Sequence, residues 1–266
     1  MTRAVLLAHV LAALAGILHA QPALAGAWTR AQGEGQVILS YSLGLPPMSS
    51  LVSGGKADAQ TSFVSLYGEY GVLDGLTLGG TVFLEIPSGA DADHTANAGA
   101  FVRKRLWQRE AVGDVASVQL GYVVPFDDSL GRRWGGEFAS TTHEVSLRAQ
   151  YGRGFWGDWG TAFVSTEAGF HYKLDDDEDD LRFDLSAGYA FAPCCMVIVS
   201  AFSTIPLGQE DANQLKIVPS FAYTLEGDEE REGFGLRPLT LQLSISQDVL
   251  SPSDGVGVQF SIWKSF

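Results

Sequence analysis

The stretch Thr142–Gly152, THEVSLRAQYG, alternates apolar and polar side chains without a break. One face carries His143, Val145, Leu147, Ala149 and Tyr151, and the other carries Glu144, Ser146, Arg148 and Gln150. Successive side chains of a β-strand point to opposite faces, so this period of two predicts a strand with one apolar and one polar face.

The same period recurs from residue 35 to the last residue of the chain. It predicts twelve strands, near residues 35–43, 62–70, 76–86, 98–107, 115–125, 142–151, 161–173, 181–191, 196–205, 214–225, 239–248 and 255–266. Most of them have the length that a tilted strand needs to cross a bilayer, about 9–11 residues. An even number of strands also returns the chain to the side on which it began, as in bacterial outer-membrane barrels.

The composition narrows the function classes. The chain has 31 Gly among 266 residues, and only 18% of its residues are charged. A mean hydropathy of +0.09 is too apolar for disorder, and this much Gly argues against a helical bundle. The net charge of −14 argues against nucleic acid as a partner. Two Cys are too few for a disulfide framework or a four-ligand zinc site.

Residues 1–25 have the organisation of a secretory signal peptide. Arg3 precedes an apolar run, and Ala23-Leu24-Ala25 fits a cleavage site with small residues. We therefore expect cleavage after Ala25, export through the inner membrane and a single β-barrel domain over residues 26–266. The most apolar stretch of that domain, 189–202, is interrupted by Pro193 and is too short for a helical span.

A soluble β-sandwich also has strands with one apolar face. The distribution of charged and aromatic residues distinguishes it from a membrane barrel. The apolar faces carry almost no charge at mid-strand, and aromatic residues cluster near one end of the predicted strands, as in an interfacial girdle. These residues are Tyr70, Trp107, Tyr151, Phe155, Trp156, Trp159, Phe191 and Tyr223. The sequence thus predicts an all-β fold, a closed antiparallel transmembrane β-barrel. It would lie in the outer membrane of a Gram-negative bacterium, in contact with outer-membrane lipid and lipopolysaccharide.

The last twelve residues, Gly255–Phe266, read GVGVQFSIWKSF and end on an aromatic residue. This ending resembles the C-terminal signal that the barrel-assembly machinery recognises on outer-membrane proteins. The last strand must also pair with the first, because an open edge cannot exist in lipid. The resemblance implies the assembly machinery as a partner through the strand that ends at Phe266.

Three further segments carry a family resemblance: Gly26–Thr29 (GAWT), Gly33–Ile38 (GEGQVI) and Glu69–Gly79 (EYGVLDGLTLG). They resemble the proteobacterial outer-membrane barrel family named for the meta-pathway of phenol degradation. This resemblance implies a transporter-like barrel for the passive uptake of a small hydrophobic or aromatic solute. It implies neither a cofactor nor an enzyme activity.

Alternation places a set of candidate solute-contacting residues in the lumen. Phe63, Phe83 and Phe101 would form an aromatic wall on three successive strands, with Glu85 and Arg103 to hold a polar end of the solute. Arg148 and Glu167 would also line the lumen.

The predicted lumen charges balance, six basic against six acidic. The basic residues are Arg103, Arg105, Arg148, Lys173, Arg182 and Lys216, and the acidic ones are Glu69, Glu85, Glu144, Glu167, Asp184 and Asp248. Two interpretations stay open, a plug of paired charges or a polar pore whose charges set its selectivity.

Two other patterns in the sequence have more than one interpretation. The acidic run at 175–180 is either a solvated hairpin tip or a loose Ca²⁺ or Mg²⁺ site that bridges to lipopolysaccharide phosphates. Cys194 and Cys195 are adjacent, so a disulfide between them would be strained, and two thiols fit equally well.

An outer-membrane enzyme is one alternative to transport. His143, beside Ser140, Thr141 and Thr142, is the one candidate for a lipase or deacylase. The sequence contains no Gly-x-Ser-x-Gly, His-Glu-x-x-His or phosphate-loop motif, so we assign no catalytic and no metal-binding residue. A structural barrel that accompanies surface-polysaccharide export or adhesion is the other alternative.

Overall fold

The computed structural model describes residues 26–45, 62–86, 96–125, 142–174, 178–208, 213–225, 239–250 and 255–266. They form twelve strands: β1 (Gly35–Leu45), β2 (Ser62–Leu73), β3 (Leu76–Ile86), β4 (Ala96–Arg109), β5 (Asp114–Pro125), β6 (Glu144–Gly157), β7 (Gly160–Lys173), β8 (Asp180–Ala192), β9 (Cys195–Pro206), β10 (Gln214–Leu225), β11 (Leu239–Asp248) and β12 (Val256–Ser265). A single 3₁₀ turn, Glu110–Val112, joins β4 to β5.

Each strand pairs antiparallel with its neighbours in sequence, and β1 also pairs with β12. The β1–β12 register runs from Gln36 opposite Ser265 to Leu45 opposite Val256. The sheet is therefore closed and has no free edge, which confirms the predicted twelve-stranded antiparallel barrel.

Strand boundaries differ from the prediction chiefly in β6, which was expected to end at residue 151. It continues to Gly157 because Gly154 and Phe155 still pair with β7, opposite Phe163 and Ala162. The β6–β7 connection is consequently a two-residue turn rather than a loop.

The barrel is polar inside and apolar outside. Leu39, Leu147 and Leu243 on the outer surface are 47%, 56% and 52% exposed. Thr77, Gln150 and Ser261 on the inner surface are buried. Such an exterior fits lipid rather than water, because apolar side chains in water form no contiguous band of this extent on soluble proteins. Among the described residues, no helix has the length and apolar character needed to cross a bilayer.

We name the two ends of the barrel by the chain termini. The terminal rim is the end at which β1 begins and β12 ends, and it carries the hairpins at residues 74–75, 158–159 and 193–194. The distal rim is the opposite end. Trp107, Trp156 and Trp159 lie near the terminal rim and are 42%, 58% and 54% exposed, in keeping with the predicted aromatic girdle.

Candidate functional site

The described residues that precede β1 lie inside the barrel. Residues 26–34, here called the lumen segment, turn at the terminal rim, where the Gly33 and Gly71 amides donate to the carbonyls of Gly71 and Glu34, both at 2.9 Å. The chain then crosses the interior towards the opposite wall, and Ala27 is fully buried. The sequence showed these residues only as a family resemblance, because nine residues without alternation carry no signal for a position in the lumen.

A buried ionic network holds the middle of the lumen segment. The Arg30 guanidinium donates to Glu69 and to Gln36, both at 2.5 Å, and the Arg30 amide donates to the Thr77 hydroxyl at 2.8 Å. Glu69 also accepts from Arg103 at 3.1 Å and from the Tyr67 hydroxyl at 2.6 Å. Two cations therefore share one buried carboxylate. Without that carboxylate, two buried guanidinium groups would lie close together uncompensated, which is unfavourable.

Arg103 also holds the lumen segment directly. Its guanidinium donates to the Trp28 carbonyl at 3.0 Å and to the Gln119 side chain at 3.1 Å. Arg103 was predicted to bind the polar end of a solute. In the structure its donors are directed to the lumen segment and to β2 and β5.

An apolar cluster holds the other part of the lumen segment. Trp28 packs edge to face on Phe163, with ring centroids 6.2 Å apart and an interplanar angle of 86°. The cluster also contains Ile38, Met196, Ile198 and Trp263. These side chains come from β1, β7, β9 and β12, so the lumen segment is wedged between opposite walls.

A cavity of about 340 Å³ lies in the lumen beside this segment. Its apolar lining consists mainly of Ile38, Tyr67, Phe101, Phe202 and Trp263. Its ionisable lining includes Arg148, Glu167 and Asp184 on β6, β7 and β8. A volume of this size suits one small organic molecule.

The charges of the cavity wall are engaged in pairs. Arg148 donates to Glu167 at 2.8 Å, and Gln150 donates to the same carboxylate. Arg148 also lies 3.9 Å from Asp184. This geometry favours paired charges over a pore with free charges of one sign.

A second ionic group lies nearer the distal rim. His171 is fully buried and shares a hydrogen bond of 2.6 Å with Glu144, which accepts from Arg182 at 3.2 Å. Arg182 also donates to Asp180 at 2.9 Å. Sequence reasoning did not single out His171 or Asp180, although their alternation with residues 169 and 182 places both inside.

The three predicted phenylalanines do not form one aromatic cluster. Phe63 and Phe83 contact each other with centroids 5.4 Å apart, whereas Phe101 stacks on Tyr67 at 5.8 Å. Phe101 lines the cavity, and the Phe63–Phe83 pair lies nearer the distal rim. Tyr67, which the prediction missed, is thus part of the aromatic wall.

Glu85 and Arg103 are not brought together. Arg103 pairs in register with Thr77, and Glu85 lies eight residues further along β3. At about 3.4 Å per residue, that separation is roughly 27 Å along the strand. Glu85 is buried beside the Phe63–Phe83 pair instead.

Arg105, which was expected in the lumen, binds the exposed Asp74 at the terminal rim at 2.6 Å. Arg105 keeps the inward orientation of Arg103, since it pairs with the buried Ser117, and the β4–β5 register shifts only beyond it, before Trp107. Its position at the terminal rim, where its amide donates to the Gly75 carbonyl, brings its guanidinium to Asp74 in the β2–β3 hairpin.

The wall formed by β9 to β12 and β1 differs from the charged wall. It is lined largely by hydroxyl groups that bond across strands at 2.8–2.9 Å. These pairs are Ser40–Ser261, Ser186–Ser200, Ser220–Ser244 and Thr224–Thr240. The lumen therefore has a charged side, which binds Arg30 of the lumen segment, and a mainly neutral side.

The seam between β10 and β11 is interrupted. The register pairs Ile217 with Gln247 and resumes at Ser220 with Ser244, and it omits Val218 and Pro219. Proline has no amide hydrogen to donate and is rare inside a sheet. A depression of about 480 Å³ lies on the outer surface at this point, lined by Ile217, Pro219, Ile245, Gln247, Asp248 and Val249.

Three remaining sequence candidates give no site among the described residues. His143 stacks on Tyr122 and shares a hydrogen bond of 2.9 Å with its hydroxyl, while Ser140 and Thr141 lie outside the described residues. The thiols of Cys194 and Cys195 are 2.8 Å apart in the β8–β9 turn. No group of three or more His, Cys, Asp or Glu that could hold a metal occurs in the described part of the chain, which excludes residues 175–177 of the acidic run.

Comparisons with known proteins match at the level of the fold. No protein-family model and no curated protein matches the chain, so the resemblance to the meta-pathway family stays a prediction. Among solved structures, a COG4313 outer membrane channel from Pseudomonas putida F1 is similar over 92% of this chain and 99% of that chain, with a TM-score of 0.54 and 15% identity. A KdgM porin is similar over 86% of this chain and 99% of that chain, with a TM-score of 0.52 and 8% identity.

Proposed function

We propose that this protein is an outer-membrane channel for the passive uptake of a small apolar or aromatic solute. The lumen carries the proposal. Ion pairs engage charged residues around the cavity, among them Glu69 and Glu167. The lumen segment occupies the terminal end, and the cavity presents the aromatic side chains Tyr67, Phe101, Phe202 and Trp263. Paired charges and a segment across the terminal end disfavour the passage of a hydrated ion or sugar, whereas the aromatic surface of the cavity favours an apolar solute.

The apolar exterior of the barrel and its closed sheet support a location in the outer membrane. The apolar outer surface requires lipid, and the predicted signal peptide supplies export. The last strand closes against the first, where Gly35 and Phe266 exchange amide-to-carbonyl hydrogen bonds of 2.9 and 3.0 Å. We infer that the barrel-assembly machinery recognises the β12 strand and that lipopolysaccharide surrounds the distal rim.

The interrupted β10–β11 seam gives the solute a sideways exit. A solute in the cavity cannot pass the terminal rim unless the lumen segment moves, because that segment crosses the lumen there. At Val218 and Pro219 the seam lacks ladder pairing, and an apolar depression lies on its lipid-facing side. Transfer from water into the membrane lowers the free energy of an apolar solute by roughly 25 cal/mol per Å² of apolar surface, so a route that ends in lipid is favourable for it.

Uptake of N-phenyl-1-naphthylamine, an apolar probe that fluoresces in lipid, tests the proposal in cells that carry the barrel. Phe83→Asp should abolish protein-dependent uptake, because it replaces one ring of the Phe63–Phe83 pair by a charge near the buried Glu85. Phe83→Leu keeps an apolar side chain and should retain uptake. Heat-dependent migration on gels checks that both variants assemble, and normal uptake by assembled Phe83→Asp would refute the proposed solute path.

A filled lumen also fits the alternative of a structural barrel linked to export or adhesion. That alternative predicts no protein-dependent uptake in the wild type. It also predicts no change when Phe83 is replaced, so the same assay separates the two functions.

A further inference from the structure

Two basic side chains on the outer surface of β4 lack an acidic partner. Lys104 follows the buried Arg103, so alternation directs it outwards, where it is exposed opposite Leu76 and Val118. Arg109 lies nearer the terminal rim on the same strand and is also exposed. In the described part of the chain, no carboxylate pairs with either residue. Both cations are therefore available to a ligand from the membrane.

The acidic residue nearest to Arg109 in register is already engaged. Asp114 lies opposite Arg109 but is only 5% exposed, and it binds Arg153 at 3.5 Å and accepts from the Tyr151 hydroxyl at 3.1 Å. The Arg109 guanidinium lies instead over the Trp107 ring, with its central carbon 5.2 Å from the ring centroid. Contact with the ring face attracts the cation and leaves N–H groups that can donate to a ligand.

The two cations flank one apolar surface. Leu106 and Trp107 are 68% and 42% exposed. Lys104 lies three residues from Trp107, roughly 10 Å along the strand, and a lysine stem can lie along apolar surface while its ammonium reaches the membrane interface. Arg109 is folded back over Trp107 from the rim side. We call these four residues, Lys104, Leu106, Trp107 and Arg109, the rim patch.

The neighbouring hairpin supports the rim patch. The Gly154 amide donates to the Gly113 carbonyl at 3.0 Å, so the β6–β7 hairpin is bonded to the β4–β5 turn. Trp156 packs against Gly113, where a β-carbon would lie 2.4 Å from its ring. Arg153, on the same hairpin, adds a third exposed basic side chain beside the patch. The two hairpins therefore form one continuous surface.

The local charge is opposite in sign to that of the whole chain. Lys104, Arg109 and Arg153 stand against Asp114 on this face and Glu110 in the adjoining turn, an excess of one positive charge, whereas the chain carries −14. The terminal rim has two-residue hairpin turns, which are typical of the periplasmic side of outer-membrane barrels. A basic surface on that side is complementary to negatively charged headgroups of the periplasmic leaflet.

We propose that the rim patch binds an anionic phospholipid, with Lys104 and Arg109 on the phosphate oxygens and the Leu106–Trp107 surface against the upper part of the acyl chains. Arginine pairs with phosphate through parallel hydrogen bonds, and tryptophan favours the membrane interface. A zwitterionic headgroup would bring a further cation to this basic surface, so the patch favours a headgroup with a net negative charge, such as phosphatidylglycerol. This inference does not depend on the identity of the transported solute.

Native mass spectrometry of the detergent-purified barrel with added lipid tests the proposal. The wild type should bind dioleoylphosphatidylglycerol roughly tenfold more tightly than dioleoylphosphatidylcholine, because two interfacial cations contribute. The double variant Lys104→Gln, Arg109→Gln should lose most of this preference. The exchange Lys104→Arg, Arg109→Lys should keep it, since one lysine and one arginine remain.

The matched control is Arg105→Gln, Lys264→Gln, which removes two positive charges from the same rim. Arg105 already pairs with Asp74, and Lys264 lies near the end of β12. This control should keep the preference, and heat-dependent migration on gels checks that every variant assembles. Equal affinities of the wild type for the two lipids, an unchanged preference in the double glutamine variant, or an equal loss in the control would overturn the proposal.

A second measurement uses the wild type and one conservative variant. Barrels are refolded in phosphatidylcholine bilayers that contain a small fraction of acyl-brominated phosphatidylglycerol or acyl-brominated phosphatidylcholine. The brominated phosphatidylglycerol should quench tryptophan fluorescence more strongly, and most of the excess should be lost in Trp107→Phe and in high salt, which screens exposed charges. Equal quenching by the two lipids, or an excess that neither salt nor Trp107→Phe reduces, would contradict the proposed site.

Discussion

Replacement of Glu69 by alanine should open the terminal end of the barrel. Glu69 is 5% exposed and accepts hydrogen bonds from Arg30, Arg103 and Tyr67. Its removal leaves two guanidinium groups, with side chains 11% and 5% exposed, close together and without their shared carboxylate. Breaking a buried ion pair in this way costs about 3–5 kcal/mol.

Most of that cost should be borne by the docking of the lumen segment, because the strands around it are held by the closed hydrogen-bonded ladder. At about 1.4 kcal/mol per factor of ten, the undocked population should rise by roughly two to three orders of magnitude. Arg30→Met should have a smaller effect, since Glu69 keeps Arg103 and Tyr67 as partners.

Single-channel conductance of the refolded mature protein in a planar bilayer measures this population. The wild type should stay closed or conduct in small steps, and Glu69→Ala should show large, long-lived open steps. Asp74→Ala is the matched control, because it removes an acid of the same rim whose side chain is 82% exposed. Surface ion pairs of that kind are worth about 0–1 kcal/mol. A folded Glu69→Ala barrel that conducts like the wild type would refute the role given to this network, as would equal opening by Asp74→Ala.

Three other outcomes follow from the geometry. Gly79→Ala should lower the temperature at which the barrel loses its folded migration on gels, because the new β-carbon would lie 2.2 Å from the Phe101 ring and 2.7 Å from the Gly68 carbonyl oxygen; an unchanged transition would contradict this packing. Dibromobimane, which fluoresces after bridging two thiols, should react with the Cys194–Cys195 pair and stay dark with either single serine variant, and bright single variants would show that the thiols act separately. In a background without these two cysteines, a disulfide between Ile217→Cys and Gln247→Cys should block uptake of the apolar probe, whereas a disulfide between Leu120→Cys and Leu147→Cys in the continuous β5–β6 seam should not.

The strands of this fold could be predicted from the sequence because each one faces lipid on one side and the lumen on the other. Lipid selects apolar side chains such as Leu147, and the lumen selects polar ones such as Arg148, so the period of two persists along most of the sheet. The closing pair was readable for a related reason, since β12 must satisfy the free edge of β1.

The site was less readable because it depends on contacts between distant segments. Arg30 contacts Glu69 because the non-repetitive segment before β1 turns back into the lumen. No local sequence pattern predicts that turn. Arg105, at the rim end of β4, contacts Asp74 in the neighbouring hairpin, and strand parity does not specify that contact. Strand parity placed Phe83 and Phe101 correctly inside the barrel, but it could not show that Phe101 pairs with Tyr67 rather than with Phe83.

The most direct test of the proposed function compares two probes in the same cells, with and without the barrel. N-phenyl-1-naphthylamine reports the passage of an apolar solute, and nitrocefin hydrolysis by a periplasmic β-lactamase reports the passage of a charged, hydrophilic one. We predict that the wild-type barrel raises the initial rate of N-phenyl-1-naphthylamine uptake and leaves nitrocefin hydrolysis unchanged. Faster nitrocefin hydrolysis without faster uptake of the apolar probe would contradict the account and indicate an open hydrophilic pore.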